Sequence, residues 1–112
     1  MANIKVMLVD DHEVVRMGLR AALEMEEDME VVAEAGDARS ALTEAGRTRP
    51  HVVLMDLHMP ECDGVEATRR LQAESPEVKV LVNTVSDSER DLVEALKAGA
   101  RGYLLKSERS DV

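Results

Sequence analysis

Two stretches decide the fold: Ile4-Lys5-Val6-Met7-Leu8-Val9-Asp10-Asp11 and His51-Val52-Val53-Leu54-Met55-Asp56. Each is a short apolar run closed by acidic residues. Runs this apolar, separated by stretches of helical period, read as buried strands of a parallel sheet. In an open parallel sheet the ligand site lies outside the carboxyl ends of the strands, so Asp10, Asp11 and Asp56 are expected to converge on one edge. Three negative charges crowded together cost free energy. The usual compensation is a hard divalent cation bound through oxygen, with Mg2+ the common intracellular choice. This is the outline of a metal-dependent phosphoryl-transfer site.

Outward from these runs, strand and helix alternate without linker, repeat or low-complexity tract. The period predicts strands over 4–10, 30–35, 51–56, 78–84 and 101–105. Val15, Leu19, Ala22 and Leu23 recur at helical spacing on a helix beginning near His12, and that face is expected to cover the sheet. Asp37 begins a second helix over 38–47, which Pro50 stops. A third helix runs over 64–74 and ends at Ser75-Pro76. A fourth follows Ser86-Asp87-Ser88-Glu89 and stops at Gly99. Such alternation forces right-handed βαβ crossovers, so the expected fold is α/β, a doubly wound five-stranded parallel sheet. After the fifth strand, Ser107 to Val112 read as a helix start with no helix behind it, and the last helix is expected to be missing from these residues.

Composition narrows the possibilities. The chain has 112 residues with 45% hydrophobic content, enough for one domain with a core and too apolar for a disordered chain. It contains no Phe or Trp and a single Tyr, so aliphatic side chains and seven Met must fill the interior. The net charge of −9 argues against nucleic-acid binding by this segment, which would need clustered Lys and Arg. The lone Cys62 cannot form an internal disulfide, which fits a reducing cytosol. No apolar stretch spans a bilayer and no cleavage-site pattern follows the first run, so a cytoplasmic protein without membrane association is expected.

Several motifs, in order and spacing, resemble a response-regulator receiver domain of two-component signalling over nearly the whole chain. They are Leu8-Val9-Asp10-Asp11-His12, Met55-Asp56-Leu57-His58-Met59-Pro60 with Gly64, Thr84, and Gly102-Tyr103-Leu104-Leu105-Lys106. The wording of Asp11-His12-Glu13-Val14-Val15-Arg16 and of Ala98-Gly99-Ala100-Arg101-Gly102-Tyr103 resembles the NarL/FixJ-type subfamily. Members of that subfamily usually carry a DNA-binding helix-turn-helix, absent from these residues. The resemblance implies the flavodoxin-like receiver topology, with 1–112 as one receiver domain cut before its fifth helix.

The same resemblance assigns the site. Asp56 is the implied phosphoacceptor, and a carboxylate can attack a phosphoryl group that a metal orients and neutralises. Asp10, Asp11, Asp56 and the backbone carbonyl of His58 are the implied metal positions, with Asp10 acting largely through water. Lys106 brings a fixed positive charge for phosphoryl oxygens. Thr84 and Tyr103 are the implied switch pair, the former donating a hydroxyl to the phosphoryl group. The His58 side chain and Ser86 are expected to tune the lifetime of the acyl phosphate. His12 could suggest a zinc centre with His58, but oxygen donors beside a Lys suit Mg2+ better. The implied partners are a histidine kinase, a second copy in a homodimer, and DNA through an output domain only.

Three other readings fit these residues less well. An aspartyl-phosphate phosphatase uses similar chemistry but needs an acid/base Asp soon after the nucleophile and a cap, and Leu57-His58 follow Asp56 with no room for one. A flavodoxin-like nucleotide binder wants a Gly- or Ser/Thr-rich phosphate loop where Asp10-Asp11 would repel phosphate. A phosphorylation-independent interaction module would not require every motif position to be filled, and all are.

Overall fold

The structure is a computed structural model that describes residues 3–56, 64–84, 97–100 and 102–105, with backbone alone at 83–84 and 102–105. The elements are β1 (Ile4–Val9), α1 (Glu13–Glu24), β2 (Met29–Ala35), α2 (Ala38–Thr48), β3 (Val52–Met55), α3 (Gly64–Glu74), β4 (Lys79–Thr84) and β5 (Gly102–Leu105). The five strands are parallel in the order β2-β1-β3-β4-β5, as the doubly wound reading requires. Four strands fall one residue short of the expected bounds at one or both ends and β2 begins one residue earlier, but the backbone ladder runs on. The Asp10 N–H donates to Ala35 O at 3.0 Å, that of Asp56 to Val9 O at 2.9 Å, and that of His51 to Lys5 O at 2.9 Å.

The first face of the sheet holds the main core. Met7, Val9, Val53, Met55 and Val80 pack there against Ala38, Ala41 and Ala45 of α2 and Ala67 and Leu71 of α3. Small residues along α2 let its backbone approach the strands, while burial of Met7 and Met55 contributes roughly 1.5–3 kcal/mol each. α2 starts where the Asp37 carboxylate accepts the Ser40 N–H at 2.8 Å, and it stops at Arg49, which has φ 50°. In α3 the buried Thr68 hydroxyl donates to Gly64 O at 2.7 Å, which satisfies a polar group the core could not otherwise hold. Lys97 and Ala98 are helical. The chain then turns at Gly99, whose φ of 116° excludes most side chains. Of the expected fourth helix, only this end lies within the described residues.

The second face is covered less completely. Val6, Leu8 and Val31 pack beneath Leu19, Leu23 and Leu54, which are only partly buried. Val52 and Leu81 are likewise half-buried, whereas Val53 and Val80 on the other face are fully enclosed. The helical face expected of α1 needs one correction. Val15, Leu19 and Leu23 turn inward, but Ala22 is exposed. At about 100° per residue Ala22 falls on the flank of that arc, and its short side chain does not reach the sheet. The methionines also divide: Met7 and Met55 fill the core, while Met17 and Met25 are exposed. Pairing of β1 with β2 slips between Val6 and Met7, which face Val31 and Ala33. Val32 is the extra residue.

Candidate functional site

The strand order reverses between β1 and β3, both central in the sheet, and the crevice at that switch point is where a ligand can enter. Asp10 and Asp56 stand one residue beyond these two strands and are 2% and 5% exposed. Their positions are rigid because their amides extend the ladders of adjacent strands. Asp11 follows at the mouth of the crevice and is half-buried. The ligand atoms of Asp10, Asp11, His12 and Asp56 all lie within 4.8 Å of one another, so the convergence expected of the three carboxylates is present.

Hydrogen bonds show how the group is held. The His12 N–H donates to Asp10 Oδ1 at 2.9 Å. The His12 ring stands outside, 65% exposed, with Nδ1 3.1 Å from Asp10 Oδ1 and 3.2 Å from Asp11 Oδ1. A carboxylate oxygen only accepts, so the Asp10 contact is a hydrogen bond in the tautomer that carries its proton on Nδ1, and that nitrogen is then no metal ligand. Asp11 Oδ1 is buried with no hydrogen-bond partner, its 3.2 Å approach to His12 Nδ1 being an ion-pair contact only. A buried carboxylate oxygen without a donor is costly in a protein that leaves it so. Bound Mg2+ would satisfy it, and an all-carboxylate oxygen set is the donor chemistry that a hard cation prefers. The residues present fit Mg2+.

Beneath the acidic group lies a layer that motif reading missed. Arg16 of α1 is 18% exposed; its Nε donates to Glu34 Oε1 at 3.1 Å and its Nη1 to Asp10 O at 2.5 Å. Arg20 also pairs with Glu34 and, at 3.3 Å, with Glu24. Its guanidinium is held above its ordinary value, by the hydrogen bond to Glu34 first and the Glu24 charge second. A side chain at Gly36 would place its Cβ 3.4 Å from Arg16 Nη1, in ordinary van der Waals contact with the guanidinium. Arg16 stands in the quoted motif, yet nothing in spacing reveals a bond to a backbone oxygen.

The remaining site residues are placed in part. Thr84 closes β4 beside Leu105 of β5, at the carboxyl edge where the carboxylates converge, and Tyr103 is in register with Val82. The side chains of Thr84 and Tyr103 lie outside the described residues, as do His58, Cys62, Ser86 and Lys106. Among the described residues no helix is long and apolar enough to cross a membrane.

Comparison with known proteins follows the same lines. The profile of the response regulator receiver domain matches residues 6–112. The transcriptional regulatory protein DegU of Brevibacillus brevis is 44% identical over 109 residues, covering 97% of this chain and 46% of DegU. The response regulator protein VraR of Staphylococcus epidermidis is 41% identical over 104 residues, covering 93% of this chain and 50% of VraR. The chain thus spans about half the length of the curated relatives it matches. Among solved structures, a LuxR-family two-component response regulator from Aurantimonas sp. SI85-9A1 superposes with a TM-score of 0.91 at 38% identity, covering 96% of this chain and 77% of that one. The signal receiver domain of the putative response regulator NarL from Mycobacterium tuberculosis does so with a TM-score of 0.90 at 32% identity, covering 98% and 90%.

Proposed function

Because this chain belongs to the response regulator receiver domain family, in its NarL/FixJ-type subfamily, we propose that it accepts a phosphoryl group on Asp56 in a Mg2+-dependent reaction. The donor is the phosphohistidine of a histidine kinase. The observation that carries this reading is the convergence of Asp10, Asp11 and Asp56 within 4.8 Å at the switch point.

In the transfer, an Asp56 carboxylate oxygen attacks phosphorus. The new P–O bond forms as the P–N bond to the donor breaks, and the imidazole leaves with the electron pair and takes up a proton. Asp10, Asp11, Asp56 and the His58 carbonyl would hold Mg2+, with Asp10 acting largely through water. When bound, the cation neutralises and orients the phosphoryl oxygens. Burial of Asp56 excludes competing water, and the hydrogen bond that its N–H donates to Val9 O keeps the nucleophile on the axis of β3. Lys106 pairs with a phosphoryl oxygen, and the Thr84 hydroxyl donates to another only after transfer. That new bond, with Tyr103, repacks the β4–β5 surface. The His58 side chain and Ser86 set the rate at which water reclaims the phosphoryl group. The output is a changed protein surface that favours a homodimer and controls transcription, with DNA contacted only by an output domain outside these residues. The setting is cytoplasmic, where the kinase's phosphohistidine is available.

Incubation with acetyl phosphate and Mg2+, followed by mass spectrometry, tests the reading. One phosphoryl group is expected, located at Asp56, absent from Asp56→Asn and absent when the metal is chelated. Undiminished labelling of Asp56→Asn would overturn it.

A further inference from the structure

The carbonyl that Arg16 binds belongs to the peptide joining Asp10 to Asp11, so its plane fixes the origin of two acidic side chains at once. The N–H of Asp10 is tied to Ala35 at 3.0 Å. Its carbonyl would look to the next residue of β2, but β2 ends at Ala35 and the chain turns through Gly36 into α2. Arg16 Nη1 takes the place of the missing strand partner, and Glu34 Oε1 fixes the guanidinium from the other side. We infer that Arg16, clamped by Glu34, is a positioning residue that sets Mg2+ affinity by holding the Asp10–Asp11 peptide plane. This rests on the Mg2+ reading above and adds to it a determinant that touches neither metal nor phosphate.

Two effects of Arg16 oppose each other, which makes the inference decidable. Its positive charge near three carboxylates disfavours a cation, so charge alone predicts that removing it tightens Mg2+ binding. Its geometry holds the ligands together, so positioning predicts that removing it weakens binding. A mere tether of α1 to β2 would change stability and leave Mg2+ affinity alone.

The 112-residue protein, 15N-labelled, would be titrated with MgCl2 and its amide shifts fitted for Kd, with urea unfolding run in parallel. Arg16→Gln is expected to weaken Mg2+ binding about tenfold, the lower end for outer-shell partners of metal ligands. Arg16→Lys keeps the charge but lacks the planar fork that reaches two acceptors; it is expected to weaken binding as well, isolating geometry from charge should Arg16→Gln fail to fold. Arg20→Gln breaks one Glu34 pair without touching the Asp10 carbonyl and is expected to leave Kd unchanged. Unchanged or tighter binding in Arg16→Gln, wild-type binding in Arg16→Lys, or equal weakening in Arg20→Gln would each overturn the inference. Absence of Mg2+ binding by the wild-type protein would instead overturn the functional reading, and this one with it.

Discussion

Gly99→Ala should be one of the most damaging conservative substitutions in this protein, because two independent costs fall on one methyl group. At φ 116° an alanine sits in a conformation that costs roughly 1–2 kcal/mol for an L-residue. Its Cβ would also lie 2.7 Å from Gln72 Cγ and 3.2 Å from Gln72 Cβ. Gln72 cannot simply swing away, since its Nε2 donates to Val78 O at 2.7 Å and leaving would strand that carbonyl. Overpacking of this kind costs about 1–3 kcal/mol, so the sum is about 2–5 kcal/mol. That is a large share of the ~5–15 kcal/mol that keeps a domain folded. Urea unfolding followed by far-UV circular dichroism measures it, with an unchanged slope showing that the unfolded state is not at issue. A double-mutant cycle with Gln72→Ala separates the costs. In that background the 2.7 Å collision with Cγ is gone while the 3.2 Å approach to Cβ remains, so the loss should fall toward the backbone cost of about 1–2 kcal/mol. A loss below about 1 kcal/mol for Gly99→Ala alone, or strict additivity in the cycle, would refute the reasoning.

Two further outcomes are expected. The Asp37 carboxyl is held below the usual carboxylate range, first by the backbone hydrogen bond from Ser40, then by the Ser40 side chain and, more weakly, by the Arg39 charge. A depressed folded value means stability that is full above the unfolded pKa and lost as pH falls through the folded one. Asp37→Ala should therefore cost about 1 kcal/mol at pH 7 and progressively less in acid, a trend to be read from chemical unfolding at both pH values; a constant deficit would contradict the assignment. Asp11→Asn should raise the melting temperature in chelator while abolishing the increase caused by Mg2+. Two charges no farther apart than 4.8 Å repel by at least roughly 3 kcal/mol at an effective dielectric near 20, of which about 1 kcal/mol should survive solvent screening. A less stable metal-free variant would argue that the carboxylates are not in conflict.

The parts legible in the amino-acid order were those whose physics is local or periodic. Val6 to Val9 and Val52 to Met55 announce buried strands by continuous apolarity, and the acidic residues that end them mark the functional edge. Asp37 announces a helix start because a cap needs a short side-chain acceptor at one fixed position. The roll of α1 was not legible: Ala22 and Leu23 are both apolar, and which of them turns inward depends on how the helix lies over β1 and β2. The Arg16 bond was hidden for a different reason, since its acceptor is a main-chain oxygen that every residue possesses. His12 was legible as a neighbour of the acidic site, but not the approach of its ring to two of the carboxylates.

Val32 carries a consequence beyond its own strand. Plain alternation along Met29 to Ala35 would put Val31, Ala33 and Ala35 on one face and Glu30 and Glu34 on the other. The slip at Val32 changes the parity. Val31 packs with Val6 and Leu8, while Ala33 and Ala35 pack with Met7 and Val9, so Glu34 emerges on the α1 side where Arg16 and Arg20 reach it. Unbroken alternation with Val32 kept in the ladder would instead turn Glu34 toward the alanines of α2 and away from Arg16. The bulge is thus what keeps odd and even in step: deleting Val32 alone would leave Glu34 opposite Leu8 on the α1 side, whereas taking Val32 into the ladder would hand the charge to α2.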